Sequence, residues 1–250
     1  MHVDPLALPK AILLDLDDTI LDDSGSAKGC WRAACLAHDS ELGTIEPAAL
    51  LEAIERNRTW FWGDPVRHRE GRLDMDAARR EIVRMSLTDL GGDASSLAGR
   101  IAEAYGSRRD RAIQPLDDAI ETVRWFREHG CRLALLTNGN GAAQRSKIDR
   151  FRLAEFFDVI LIEGELGFGK PDARVYGLAL DALAIEPTDA WMVGDNLEWD
   201  VAGPQRLGIV GIWIDARGAG LPADPVVRPH RIVRRLAELR FEREGEAPGR

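Results

Sequence analysis

From residue 115 to residue 214, short apolar runs alternate with longer stretches that carry a single apolar stripe. No other feature of the chain restricts its fold as much. Leu116, Ile120, Val123 and Phe126 mark a core-facing helix that Gly130 closes. Residues 131–136 then read as a buried strand, followed by a helix and a second strand at 158–162. Residues 172–185 predict a helix buried along Val175, Leu178, Ala182 and Ile185. Residues 190–193 and 209–214 complete the series as strands. A strand-helix rhythm of this kind builds a parallel sheet with helices on both faces.

One more apolar run, residues 11–14, lies far upstream and ends in Asp15-Leu16-Asp17-Asp18-Thr19. A strand interior would not tolerate those carboxylates, so they belong to the strand's exit. In an open α/β sheet that edge is where ligands bind. A carboxylate there can be a nucleophile, its neighbour two residues on a proton donor, and together they can hold a hard cation. Read alone, the cluster is equally a strand-to-helix turn with capping aspartates. Between this strand and the others, residues 24–111 carry helical patterns only. Glu46-Pro47 opens one helix running toward Trp60, while Ala78, Ile82 and Met85, and then Leu97, Ile101 and Tyr105, trace two more. We expect a Rossmann-like α/β core made of residues 1–22 and 114–250, with residues 23–113 inserted as an α-helical cap domain. Residues 231–241 predict a closing helix and 242–250 a frayed tail. Pro204 predicts a kink or an early helix end after Asp200.

Polar residues recur at four strand exits. After Asp15, Asp17, Asp18 and Thr19 come Thr137 and Asn138, then Lys170 behind Gly167-Phe168-Gly169, then Asp195 and Asp200. Each alone has a bland reading as a cap or a solvated surface residue. Together and in this order they resemble the haloacid dehalogenase (HAD) superfamily of hydrolases, with DxDx(T/V), then (S/T), then Lys, then GD and a further Asp. The likeness spans nearly all of the expected core, and the helical block resembles that superfamily's cap between the first two motifs. TNG, GKPD and GDNLEWD resemble the branch with N-acylneuraminate 9-phosphatase and the pyrimidine 5′-nucleotidases.

The resemblance implies a phosphatase, and the chemistry of the residues is consistent with one. Asp15 can attack phosphorus in line and form an aspartyl-phosphate, dividing one hard step into two easier ones. Repulsion between Asp15 and the phosphate must be cancelled, and Mg²⁺ suits that task because it prefers oxygen ligands. By resemblance its ligands are Asp15, the backbone carbonyl of Asp17, and Asp195, with Asp200 supporting the ion through a water. Asp17 is the expected acid for the leaving alkoxide and then the base for the hydrolytic water. Thr137 and the backbone amide of Asn138 would hold phosphoryl oxygens, and Lys170 would neutralise the anionic transition state. In the expected cap, Trp62, Arg67 and Arg69 are candidates to grip a ring or a second anionic group, against the blander reading of packing within the cap.

Composition limits the partners. A net charge of −9 argues against nucleic acid and anionic membrane surfaces. No stretch approaches the roughly 20 apolar residues of a membrane helix. Residues 1–10 lack a secretory signal, and Cys30, Cys35 and Cys131 suggest reduced thiols, so we expect a cytoplasmic monomer or homodimer. The expected substrate is a small phosphorylated metabolite: a sugar phosphate, a nucleotide or a phosphoglycolate-like ester. The alternatives are a 2-haloacid dehalogenase, which needs neither Mg²⁺ nor the acid Asp17, a phosphomutase, and a non-catalytic binding protein on the same fold.

Overall fold

The computed structural model describes residues 8–93, 96–223, 225 and 227–240. The chain divides into two compact units, Met1–Asp22 with Pro115–Arg250, and Asp23–Gln114. In chain order the elements are β1 (Ala11–Leu14), β2 (Leu21–Asp22), α1 (Ala27–Ala37), α2 (Pro47–Trp62), α3 (Pro65–Leu73), α4 (Met75–Asp89) and α5 (Leu97–Ala112). They continue with β3 (Gln114–Pro115), α6 (Ala119–Glu128), β4 (Arg132–Thr137), α7 (Gly141–Arg150), β5 (Val159–Ile162), α8 (Glu163–Leu166) and α9 (Ala173–Leu183). The last are β6 (Ala190–Gly194), α10 (Gly203–Gln205), β7 (Val210–Ile214) and β8 (Arg231–Val233).

Six strands form one sheet in the order β5-β4-β1-β6-β7-β8, and β2 and β3 form a separate two-stranded sheet. Every pairing in the larger sheet is parallel; Ala11, for example, lies opposite Arg132 on one side and Ala190 on the other. A strand with neighbours on both sides and helices above and below must be apolar throughout. β1 meets that demand: all four of its residues are fully buried. Ala11 and Leu13 join the core beneath α9, with Ala134, Leu136, Val175, Tyr176, Ala179 and Leu183. Ile12 and Leu14 face the opposite side by alternation. After β5 the chain returns across β1 to build β6, β7 and β8, so the strand order reverses beside β1. At such a reversal the carboxyl ends of the strands open a crevice.

The second unit holds its own core, in which Trp31, Leu50, Ile54, Ile82, Leu87 and Ile101 are buried. Trp31 stacks on Tyr105 with ring centroids 3.6 Å apart. Pro47 begins α2, and Asp64 caps α3 by accepting the Val66 and Arg67 N–H groups. Among the described residues no helix is long and apolar enough to cross a membrane.

Three expectations need correction. The stripe of α9 runs through Val175, Tyr176, Ala179, Leu180 and Leu183, whereas Leu178 and Ala182 are exposed. The spacing from Val175 to Leu178, Ala182 and Ile185 is also helical, but it turns the stripe toward solvent and away from the sheet. The closing helix at 231–241 is instead β8 followed by a 3₁₀ turn, Leu236–Leu239, while Phe241 and residues 242–250 lie outside the described residues. Ile232 and Val233 favour a strand, and Leu236 and Leu239 fall three apart, on one side of a 3₁₀ turn. Leu116 precedes α6 and is only half-buried, its place on the helix being taken by Ala119 and Thr122. The early helix end expected after Asp200 is observed, since α10 stops at Gln205. The chain after Asn196 winds as a π-helix, Leu197–Ala202, and Pro204 sits in the first turn of α10, where no N–H is required.

Candidate active site

β1 delivers Asp15 to the crevice, its N–H bonded to the Val193 carbonyl of the neighbouring strand at 3.0 Å. Lys170 Nζ donates to Asp15 Oδ1 at 2.6 Å and to Asp200 Oδ1 at 2.7 Å. Lys170 and Asp200 are both buried. The other oxygens are also held, Asp15 Oδ2 by Thr19 Oγ1 at 3.2 Å and Asp200 Oδ2 by the Asn196 N–H at 3.0 Å. A buried ammonium is tolerated only with such partners. The Lys170 backbone is fixed by the Asn138 side chain, which accepts its N–H at 2.8 Å and donates to its carbonyl at 2.7 Å. Two glycines make this close approach possible. A Cβ on Gly194 would fall on the Asp200 carboxylate, and one on Gly169 would meet Asn138 Oδ1 and the Glu163 side chain.

Asp195 leaves β6 beside this pair. Its main-chain carbonyl accepts from Trp213 Nε1 at 2.7 Å. One oxygen from each of Asp15, Asp195 and Asp200 lies within 4.8 Å of the others. Three carboxylates thus share one lysine, and the electrostatics record the imbalance. Burial raises Asp15 well above the usual carboxylate range, with Lys170 opposing the rise and Asp200 and Asp17 adding to it. Burial, then repulsion by Asp15 and Asp200, pushes Asp195 to about 8. Burial works against the Lys170 ammonium, but Asp15 and Asp200 outweigh it and raise its pKa. An all-oxygen set with surplus negative charge fits a hard divalent cation.

Asp17 lies on the other side of Asp15. Its Oδ1 accepts from Lys147 Nζ at 2.7 Å and its Oδ2 from Gln144 Nε2 at 2.8 Å. Gln144 Nε2 also lies 2.5 Å from Thr137 Oγ1 and 3.2 Å from the Asn138 carbonyl. Thr137 is buried at the end of β4, and Asn140 caps α7 just beyond it. Asp18 takes a left-handed φ of 56°, and its N–H closes on the Leu21 carbonyl at 2.7 Å.

The first unit therefore gathers Asp15, Asp17, Thr137, Asn138, Lys170, Asp195 and Asp200. Trp62, Arg67 and Arg69 belong to the second unit. There Trp62 packs edge-on against Phe61 and His68, and the Arg67 guanidinium lies 3.6 Å over the Trp60 ring. Sequence reasoning overlooked Gln144 and Lys147, and the use of the Asn138 side chain as a clamp. The sequence shows only a glutamine and a lysine three apart on the helix that follows Thr137-Asn138, a spacing that puts them on one face without saying what that face meets.

A family model described as a hydrolase, haloacid dehalogenase-like hydrolase, matches residues 9–208. A phosphoserine phosphatase of Thermus thermophilus is 34% identical over 247 residues, covering 92% of this chain and 97% of that protein. The N-acylneuraminate-9-phosphatase of Rattus norvegicus is 26% identical, covering 94% of this chain and 93% of that one. Among solved structures, a 2-haloacid dehalogenase from Pseudomonas syringae pv. Tomato DC3000 is 28% identical with a TM-score of 0.60, covering 93% of this chain and 96% of that chain.

Proposed function

The chain belongs to the haloacid dehalogenase-like hydrolases, and from that premise we propose that it is a Mg²⁺-dependent phosphatase that hydrolyses a small phosphorylated metabolite through an aspartyl-phosphate on Asp15. One observation carries the reading. A buried lysine is clamped between Asp15 and Asp200 at 2.6 and 2.7 Å, within a carboxylate cluster too negative to admit a phosphate without a further cation.

Asp15 and Asp195, with the backbone carbonyl of Asp17, would hold Mg²⁺, and Asp200 supports the set from behind. Bound there, the ion would supply charge neutralisation between nucleophile and phosphate. The remaining work falls to the chain's own groups. An Asp15 oxygen attacks phosphorus while the ester P–O bond breaks, and the Asp17 carboxyl gives its proton to the departing oxygen. Water then attacks the phosphoryl group, Asp17 takes the proton back, and Asp15 and inorganic phosphate are released. Lys170 stabilises the charge of both transition states. Thr137 and the Asn138 amide hold phosphoryl oxygens at the start of α7. Choice among sugar phosphates, nucleotides and phosphoglycolate-like esters is assigned to residues 23–113 as a cap, with Trp62, Arg67 and Arg69 as candidate contacts.

The test is release of phosphate from p-nitrophenyl phosphate in Mg²⁺. The native protein should turn over, and Asp15→Asn or EDTA should abolish the activity. Full activity in either case would overturn the mechanism. A phosphate-release screen across a panel of metabolites then names the ester. The dehalogenase likeness supports a second reading, attack by Asp15 on carbon, which has no use for Asp17 as an acid. Chloride release from 2-chloropropionate, with no phosphate release, would favour it.

A further inference from the structure

Both oxygens of the Asp17 carboxylate are held by one helix. Gln144 and Lys147 sit three residues apart on α7, hence on the same face, and each takes one oxygen, at 2.8 and 2.7 Å. Gln144 is buried, and its amide reaches Thr137 Oγ1 at 2.5 Å as well. One side chain thus spans the acid-base carboxylate and the phosphate-binding hydroxyl. The Lys147 and Asp17 side chains retain only 17% and 29% of their exposure, so the pair is partly shielded from solvent and salt.

α7 also has anchors that do not involve Asp17. α7 is anchored by Ile148, which is fully buried, and by its Asn140 cap, independently of Lys147. A carboxylate on a strand-exit loop has rotamers to spare, and a group that must face the leaving oxygen and then the incoming water cannot wander. We infer that Lys147 and Gln144 are positioning residues for Asp17, fixing its carboxylate from α7 and registering it against Thr137. The inference rests on the phosphatase reading above. In it the protons balance: the Asp17 carboxylate held here takes a proton from solvent before the ester reacts, gives it to the leaving oxygen and recovers one from the attacking water, and Lys147 and Gln144 only hold the group that does so.

Leaving-group dependence tests it. Nitrophenolate departs without a proton, so formation of the aspartyl-phosphate from p-nitrophenyl phosphate survives misplacement of Asp17, while its hydrolysis does not. Lys147→Met should lower steady-state turnover on the order of 10- to 100-fold and produce a stoichiometric burst of p-nitrophenolate larger than the native one. Lys147→Arg should recover most of the rate. In an Asp17→Asn background, Lys147→Met should cost nothing further, because a residue acting through Asp17 has nothing left to act on. A native rate in Lys147→Met, or an equal loss in the Asp17→Asn background, would overturn the inference. If Lys147→Met does not fold by circular dichroism, the same cycle run with Gln144→Ala decides. Failure of the parent reading looks different, because the native protein would then release no phosphate at all.

Discussion

At the scale of single residues, the site is governed by how few positive charges serve its carboxylates. Lys170 is fully enclosed between Asp15 and Asp200. Removing it as Lys170→Met leaves buried carboxylates unpaired, which we expect to cost about 3–5 kcal/mol in the metal-free protein, read as a fall in denaturation midpoint. The same change should lower phosphate release at least 100-fold or so, in line with loss of a preorganised charge. The metal-free protein should also respond to pH in a definite direction. Asp195 titrates at about 8 when folded and near 3.8 when unfolded, and Asp15 is raised in the same sense. The folded state then binds protons more tightly, so that stability is present below the unfolded value and is lost as pH rises through the folded one. In EDTA, the melting temperature should therefore fall from about pH 5 to pH 8, and Mg²⁺ should remove most of the decline. A flat profile in EDTA would contradict the raised carboxylates.

At the scale of elements, one glycine and one helix face give the clearest expectations. Gly194→Ala drives a methyl into the Asp200 carboxylate. It should cost about 1–3 kcal/mol by overpacking and weaken activity even though no catalytic group is altered. On α9, Leu183 is fully buried and Leu178 is 41% exposed. Leu183→Ala should therefore cost about 2–5 kcal/mol and Leu178→Ser under about 0.5 kcal/mol, both measured by urea denaturation. That contrast marks where the chain could be read and where it could not. The parallel sheet was legible because β1, β6 and β7 are apolar throughout and β4 is apolar from Leu133 to Leu136, which only burial on two faces explains. The phase of α9 was not, because Val175 belongs to two helical stripes and only the sheet beneath selects one. β8 was missed for the same physical reason, since three residues at an edge pair through the backbone of β7 and show little pattern of their own. At the site, Asp15, Lys170 and Asp195 could be read from the order of strand exits. Gln144 and Lys147 could not, because a helix face has meaning only once the opposing loop is in place.

At the scale of the whole molecule, the residues proposed to hold Mg²⁺ belong to one of two units, each with a core of its own. A ligand stabilises whatever its binding competence depends on, and an ion at 100 times its Kd contributes about 2.7 kcal/mol. If the cores unfold separately, that gain belongs only to residues 1–22 and 115–250. Hydrogen exchange read by mass spectrometry, with Mg²⁺ against EDTA, separates the cases. Peptides containing β1, β4, β6 and the π-helix at Leu197–Ala202 should slow on adding Mg²⁺. Peptides from α2 and α4, whose own packing includes the bond from Asn57 to Ser86 at 3.1 Å, should exchange as before. Slowing of equal size in α2 and α4 would mean that the two cores open as one cooperative body. Substitutions in residues 23–113 would then reach the site through global stability. With exchange in α2 and α4 unchanged, any effect of Arg67→Ala on the ratio of kcat/KM between two esters reports recognition instead.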